Sequence, residues 1–211
     1  MSIVLYDYWR SSACYRVRIA LNLCGLAFET KSIDLTKGEQ FERPYLEINP
    51  QGLVPSLRIG EVVLTQSLAI IEHLDALQHY PFLPGSSLDR SSQRALAYAV
   101  AMEIHPICNL SVATFVEEAS GGNITMASWA QRFISSGLGA IEESLSRTGA
   151  HKYCLGDEPA MADVCLVPQV YNARRWNVQL GDCPRIGKIV EELEKLEAFS
   201  RAHPDNYKQE N

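Results

Sequence analysis

The hydrophobic period changes along this chain, and the change divides it. Residues 3–6 form a continuous apolar run of a length that suits a buried strand. Val17, Ala20, Leu21 and Cys24 then fall at i, i+3, i+4 and i+7, the spacing of one helical face. This helix is predicted to start near Ser11 or Ser12 and to stop at Gly25. Residues 28–34 alternate moderately and predict a second strand. Residues 36–46 are polar, contain Gly38 and Pro44, and predict a loop with a short helix. Asn49-Pro50 and Gln51-Gly52 mark a turn. Two short strands are predicted at 56–59 and 62–65 around Gly60-Glu61, a hairpin signal. A helix follows over 68–78, with Ile70, Ile71, Leu74 and Leu77 on one face. The order is β-α-β-(α)-β-β-α.

Residues 81–87 are rich in Pro, Gly and Ser and read as a linker, with a domain boundary near residue 85. No strand pattern follows. Residues 90–118 are helical in period, with Pro106 expected to kink or break the run. Gly121-Gly122 interrupts again. Trp129, Phe133, Ile134, Ile141 and Leu145 share a helical face. Residues 162–176 are apolar almost all round and predict a central helix. Ile186, Ile189, Val190, Leu193 and Leu196 mark a last one, and the polar tail from Ala202 is expected to fray. The prediction is an α/β domain over 1–84 and an all-α domain over 88–211.

Composition adds limits. The 211 residues carry a net charge of -6, which gives no electrostatic footprint for nucleic acid or an anionic membrane. No uncharged apolar run approaches a membrane span. Asp7 and Arg10 interrupt any leader-like pattern early. The six cysteines show no CxxC pair and no zinc spacing with histidine, so no metal site is expected. Most lie in apolar surroundings, as free thiols would in the cytoplasm.

Two places carry candidate chemistry. The helix start at Ser11-Ser12 offers unpaired N–H groups and a partial positive charge, a place for an anion such as a thiolate; a serine there also serves simply as an N-cap. Gln66-Ser67 closes a strand and opens a helix. Ser67 reads either as an N-cap or as a carboxylate-binding group. Pro55 precedes a strand, where it has no hydrogen to give to a ladder.

Taken together, Arg10-Ser11-Ser12 with Arg16-Val-Arg-Ile-Ala-Leu, then Asn49-Pro50 with Val54-Pro55, then Gln66-Ser67-Leu-Ala-Ile-Ile-Glu72, resemble the zeta class of glutathione transferases. The resemblance extends through Ile104-His105-Pro106-Ile107, Asn109-Leu110-Ser111, the 156–170 segment and Asn172-Ala173-Arg174-Arg175, and so covers nearly the whole chain. It implies a thioredoxin-like N-terminal domain, an all-α C-terminal domain, a cis bond before Pro55, glutathione as cofactor and a homodimer. It implies that Ser11 is the main hydroxyl donor to the thiolate, with Ser12 next. The Val54 backbone beside Pro55 would pair with the glutathione cysteine, and Gln66 and Ser67 would hold its γ-glutamyl end. Gln40, His105 and Asn109 are further cofactor-binding candidates, the first two for the glycyl end or a contact across subunits; His105 alone also reads as a helix-kink histidine. Arg10 and Arg175 would hold the carboxylates of a dicarboxylate substrate, since the guanidinium fork matches them. Arg174 stands beside Arg175, and each also reads as a surface ion pair.

The activity implied is glutathione-dependent cis–trans isomerisation of maleylacetoacetate to fumarylacetoacetate, a step of tyrosine and phenylalanine breakdown, with transferase side activity. Isomerisation of maleylpyruvate, detoxification of α-halo acids and a non-catalytic scaffold are the alternatives. Lowering a thiol pKa by two units takes about 2.7 kcal/mol of preferential thiolate stabilisation, a size suited to a hydroxyl plus a helix N-terminus. The sequence departs from the class at Ala13, where many members have cysteine. Cys14 is one residue on, a rotation of about 100° around the helix. Chemistry that needs that cysteine is put in doubt, whereas isomerisation takes its thiol from glutathione. A second departure is Ala160, where the class usually has a capping Ser or Thr.

Overall fold

The computed structural model describes residues 2–208. They form two compact units, one of residues up to Phe82 together with those from Leu196, the other spanning Leu83–Lys195. A linear division at 84 and 88 differs from this in two respects: Leu83 and Pro84 belong with the second unit, and the chain from Leu196 belongs with the first. Among the described residues no helix is long and apolar enough to cross a membrane.

The first unit contains β1 (Ile3–Asp7), α1 (Ser12–Leu23), β2 (Glu29–Ser32), α2 (Arg43–Leu46), β3 (Ser56–Ile59), β4 (Val62–Thr65) and α3 (Ser67–Ala76). The sheet order is β2-β1-β3-β4, with β1 parallel to β2 and antiparallel to β3, and β3 antiparallel to β4. This is the mixed four-stranded sheet of a thioredoxin-like domain. Leu5 lies opposite Leu57 in register and both are fully buried. On the other face of β1, Val4 and Tyr6 pack with Tyr45, Ile33, Ile48 and Val54. The helix α1 ends as its sequence requires: Gly25 takes φ 64°, and Leu26 N donates to Leu21 O at 3.0 Å.

Three expectations change here. The alternation of 28–34 is not used, because β2 is an edge strand with every residue exposed. Leu77 falls past the end of α3 and is half exposed, so it does not join Ile70, Ile71 and Leu74 in the core. The polar tail does not fray over its described part. From Ala202 it forms a short 3-10 turn (Pro204–Tyr207) with Ala202 and Pro204 buried, and just before it α9 (Glu197–Arg201) packs on α1 with Phe199 buried.

The second unit is helical: α4 (Ser87–Tyr98), α5 (Leu110–Ala119), α6 (Met126–Ser146), α7 (Met161–Arg175) and α8 (Pro184–Glu194). The helix α4 begins with a reciprocal capping box between Ser86 and Asp89. It runs into a π-helical turn over Ala99–Ile104 and breaks at the turn containing Pro106. Every residue of α7 except Tyr171, Arg174 and Arg175 is buried, so this is the central helix that its all-round hydrophobicity predicts.

Candidate active site

Strand register brings the three motifs of the first unit to one end of the sheet. Tyr6, near the end of β1, lies opposite Ser56, the first residue of β3; Ser56 lies opposite Thr65, the last residue of β4. The turn after β1, the loop before β3 and the turn after β4 therefore emerge side by side. They carry Arg10-Ser11, Val54-Pro55 and Gln66-Ser67.

Ser11 is the N-cap of α1. Its Oγ accepts from Cys14 N at 3.3 Å, and its own N donates to Tyr8 O at 2.9 Å. The capping role is thus real, and it leaves the hydroxyl hydrogen available for another acceptor. Ser12 is the first residue of the helix and is buried. Arg10 is exposed, with its guanidinium 4.4 Å over the Trp9 ring.

The Val54–Pro55 bond is cis. Side chains behind the loop hold it. Tyr45 Oη donates to Leu53 O at 2.6 Å, Asn49 Nδ2 reaches the same oxygen at 2.7 Å, and Tyr45 Oη and Ser56 Oγ are 3.0 Å apart. Burial pushes the Tyr45 phenol up to about 12, so it stays protonated as a donor. With Leu53 O doubly satisfied, the adjacent Val54 N–H and C=O make no hydrogen bond among the described residues. The Val54 side chain packs on the Tyr6–Tyr45 cluster, which fixes the peptide group beside it.

Gln66 has φ 67° and ψ 114°, a backbone conformation that costs a non-glycine residue about 1–3 kcal/mol. It occupies the N-cap position of α3 without a side-chain cap bond, and its Nε2 donates to Gln51 Oε1 at 3.0 Å. Ser67 is the first residue of α3 and not its cap. It is buried, and its Oγ accepts from the buried Arg16 Nη1 at 3.3 Å. Gln40 lies in the 3-10 turn Glu39–Phe41; its buried Oε1 has no partner among the described residues.

The remaining candidates are in the second unit. His105 caps the π-helical turn at its C-terminal end, and Asn109 is the N-cap of α5 without using its side chain. Arg174 is held in an ion pair with Glu194, whereas Arg175 Nη1 donates to Asn172 Oδ1 at 3.2 Å and the guanidinium lies 5.7 Å over Trp176.

Cys14 is fully buried with Sγ accepting from Tyr8 N at 3.4 Å. Burial, reinforced by the Asp7 charge, pushes its thiol far above the ordinary range. It is a structural thiol. Iodoacetamide at neutral pH is expected to leave Cys14 unmodified in the native protein and to label it once denaturant is added. Peptide mass mapping reads both; native labelling of Cys14 would contradict this assignment.

Tyr45, Asn49 and Arg16 hold the site residues without being site candidates in the sequence. Arg16 had a visible signal, a charge set within an apolar helical repeat. Tyr45 and Asn49 had only the Asn-Pro turn beside them.

Comparison with known proteins agrees with this geometry. The N-terminal domain model of the glutathione S-transferases matches residues 10–77. Maleylacetoacetate isomerase of Rhizobium meliloti (strain 1021) is 52% identical over 207 residues, covering 97% of each chain. A holo structure of maleylpyruvate isomerase, a bacterial zeta-class enzyme, superposes with a TM-score of 0.92 at 39% identity, covering 95% of this chain and 96% of that one. The maleylacetoacetate isomerase of Methylobacterium extorquens AM1, solved with malonate and glutathione bound, gives 0.91 at 38% identity, again over 95% and 96%. A cis-proline loop, a serine at the start of α1 and a strained glutamine before α3, gathered at one sheet end in a chain this similar, place it in the family to which it belongs: the maleylacetoacetate isomerases of the zeta-class glutathione S-transferases.

Proposed function

We propose that this chain is a glutathione-dependent cis–trans isomerase that converts maleylacetoacetate to fumarylacetoacetate. The observation that carries the reading is the sheet end itself, where Ser11, the unpaired Val54 peptide and the Gln66-Ser67 helix start are neighbours by register. Glutathione fits these residues. A peptide-like ligand pairs naturally with a fixed, unsatisfied backbone N–H and C=O. An N-terminal carboxylate suits the start of α3 and the Ser67 hydroxyl, with the Gln66 amide alongside. The orphaned Gln40 Oε1 is an acceptor suited to the glycyl amide.

When bound, glutathione would supply a thiolate able to add reversibly to the cis double bond, which becomes a single bond that can rotate until elimination restores the double bond and the thiolate. Ser11 donates its hydroxyl hydrogen to hold that sulfur ionised, assisted by the start of α1. Arg10 and Arg175 bind the substrate carboxylates and stabilise charge that develops on its oxygens. The ion pair with Glu194 commits Arg174 elsewhere, which separates the two adjacent arginines. Arg175→Ala is expected to lower kcat/KM roughly 10–100-fold, the worth of one charge-assisted contact of about 1.5–3 kcal/mol. Arg174→Ala should leave it nearly unchanged. Steady-state kinetics on both variants checks the assignment; the reverse order would exchange the roles.

His105 and Asn109 are retained as cofactor-side candidates. Exposed Leu88, Met102, Leu110 and Phe115 in the second unit support a homodimer that covers them. Six free thiols support a cytoplasmic address. Activity on α-halo acids is expected as a side reaction of the same thiolate.

The likeness to maleylpyruvate isomerase carries a second reading, isomerisation of that shorter substrate. Loss of the enedione absorbance of each substrate, with and without glutathione, tests both. Glutathione-dependent turnover favouring maleylacetoacetate supports the first reading, a preference for maleylpyruvate supports the second, and turnover of neither removes the isomerase.

A further inference from the structure

We infer that Arg18 is a positioning residue for the turn that presents Ser11, and that the C-terminal segment at Ala202 and Tyr207 is part of the support of the thiolate site. The inference rests on the glutathione reading above.

Arg18 is on α1, opposite in role to the helix start it serves. It is completely buried. Nη1 donates to both Asp7 carboxylate oxygens at 2.7 and 2.9 Å, Nη2 to Trp9 O at 3.0 Å, and Nε to Ala202 O at 3.1 Å. The guanidinium lies 4.4 Å from the Tyr207 ring centroid and 5.4 Å from that of Tyr15. One planar fork thus ties together the end of β1, the turn after it and the returning C-terminal chain.

The turn from Tyr8 to Ser11 is tied at Tyr8, Trp9 and Ser11, beside the bonds that Ser11 accepts from the first turn of α1. Tyr8 N is held by Cys14 Sγ, Trp9 O by Arg18, and Ser11 N by Tyr8 O. Only the Trp9 anchor reaches beyond the turn and its own first helical turn. Its geometry depends on where the Arg18 fork sits, and that is set from behind by Asp7, Ala202 O and the Tyr207 ring. A lysine has no fork with which to hold Asp7, Trp9 O and Ala202 O in fixed directions at once. A shift of Trp9 moves the Ser11 hydroxyl relative to α1, and a hydrogen bond to a thiolate weakens steeply with misalignment. Arg18 therefore acts through Ser11. This explains why a polar tail is kept against the back of the first unit: Ala202 O and the Tyr207 ring complete the socket of the guanidinium.

The test uses the full chain and four proteins: wild type, Arg18→Lys, Tyr207→Leu and Tyr207→Phe. Glutathione binding is measured by calorimetry, and the pKa of the bound thiol from thiolate ultraviolet absorbance across pH. Arg18→Lys is expected to raise the bound-thiol pKa by about one unit, an about tenfold loss of thiolate below that pKa. Tyr207→Leu should raise it by less, and Tyr207→Phe, which keeps the ring, should not change it. A purely structural role would lower thermal stability and leave the thiol pKa where it is. An unchanged pKa in folded Arg18→Lys and Tyr207→Leu overturns the inference, as does equal behaviour of the Leu and Phe variants. Should Arg18→Lys not fold, the Tyr207 pair decides alone. A wild type that binds no glutathione instead removes the underlying functional reading, so the two failures are distinct.

Discussion

Ser11→Ala is expected to reduce kcat/KM roughly 10–100-fold at neutral pH, the effect of losing a hydrogen bond to a charged sulfur worth about 1.5–3 kcal/mol. The bound-thiol pKa should rise in parallel. The argument turns on how many bonds one hydroxyl makes. Ser11 Oγ accepts from Cys14 N with one lone pair, and this fixes the oxygen at the mouth of α1. On the proposed reading its hydrogen is donated to the glutathione thiolate, since a hydroxyl that accepts one bond can still donate another. On that reading capping and catalysis are two uses of one group, and the alanine variant is expected to lose both. The cap alone costs about 0.5–2 kcal/mol of stability. Ser11→Gly separates the two, because glycine replaces a capping serine at a cost of only a few tenths of a kcal/mol. It should be nearly as stable as wild type and as inactive as Ser11→Ala, whereas Ser11→Thr should keep most of the activity. Kinetics, thermal unfolding and the thiol titration together read the result. A wild-type thiol pKa in Ser11→Gly would move the role to the buried Ser12 or to the helix start alone.

Local signals in the sequence carried the elements well. The Gly60-Glu61 hairpin lies at 56–59 and 62–65, where strand residues flank a turn pair. Gly25 stops α1 because only the left-handed conformation lets Leu26 N reach Leu21 O. The central place of α7 follows from hydrophobicity on every side. What could not be read was non-local. Period shows that a segment is a strand, but not that β2 is an edge with both faces exposed. The tail looks polar because its buried groups are few and small, Ala202 and Pro204, and because its main contact is a carbonyl that any residue supplies to Arg18.

The candidate site shows the same division. Ser11, Val54, Gln66 and Ser67 stand in recognisable local patterns, and strand register gathers them. The groups that hold them come from elsewhere in the chain. Tyr45 reaches forward eight residues to Leu53, and Arg16 crosses fifty-one positions to Ser67. Neither spacing is a helical or strand period, so no pattern announces it. The physical consequence is that Ser67 looked like a cap and is a buried acceptor, while Gln66 took the cap position at the cost of a strained φ. Strain of that kind is retained where surrounding contacts over-determine it, here at the sheet end that carries the candidate site.

The largest expected loss of stability is at Asp163, in the first turn of α7. Asp163 is fully buried; Oδ1 accepts from Cys154 N at 2.9 Å and Oδ2 from Ala160 N at 2.9 Å. Ala160 has no side-chain oxygen to return the favour, so this N-terminus has half of a capping box and Asp163 carries it alone. Asp163→Ala would leave two buried N–H groups unpaired, each costing about 1–3 kcal/mol, for a total of about 2–6 kcal/mol. Against a usual domain stability of about 5–15 kcal/mol, that is enough to unfold much of the second unit on mild heating. Asp163→Asn keeps one acceptor and should cost about half as much. The pH dependence has a definite sign. Burial holds the Asp163 carboxyl above the ordinary carboxylate value of 3.8, so the folded state binds that proton more tightly than the unfolded chain. The stability this gives is complete below 3.8 and is lost as pH rises through the raised folded value. The asparagine variant has no such titration. Its deficit relative to wild type should therefore be greatest in acid and narrow as pH rises, on top of the constant cost of the lost acceptor. Denaturant unfolding of both proteins across that range checks it. A deficit that widens with pH would mean that the two backbone donors outweigh burial and hold the carboxylate ionised in the folded chain.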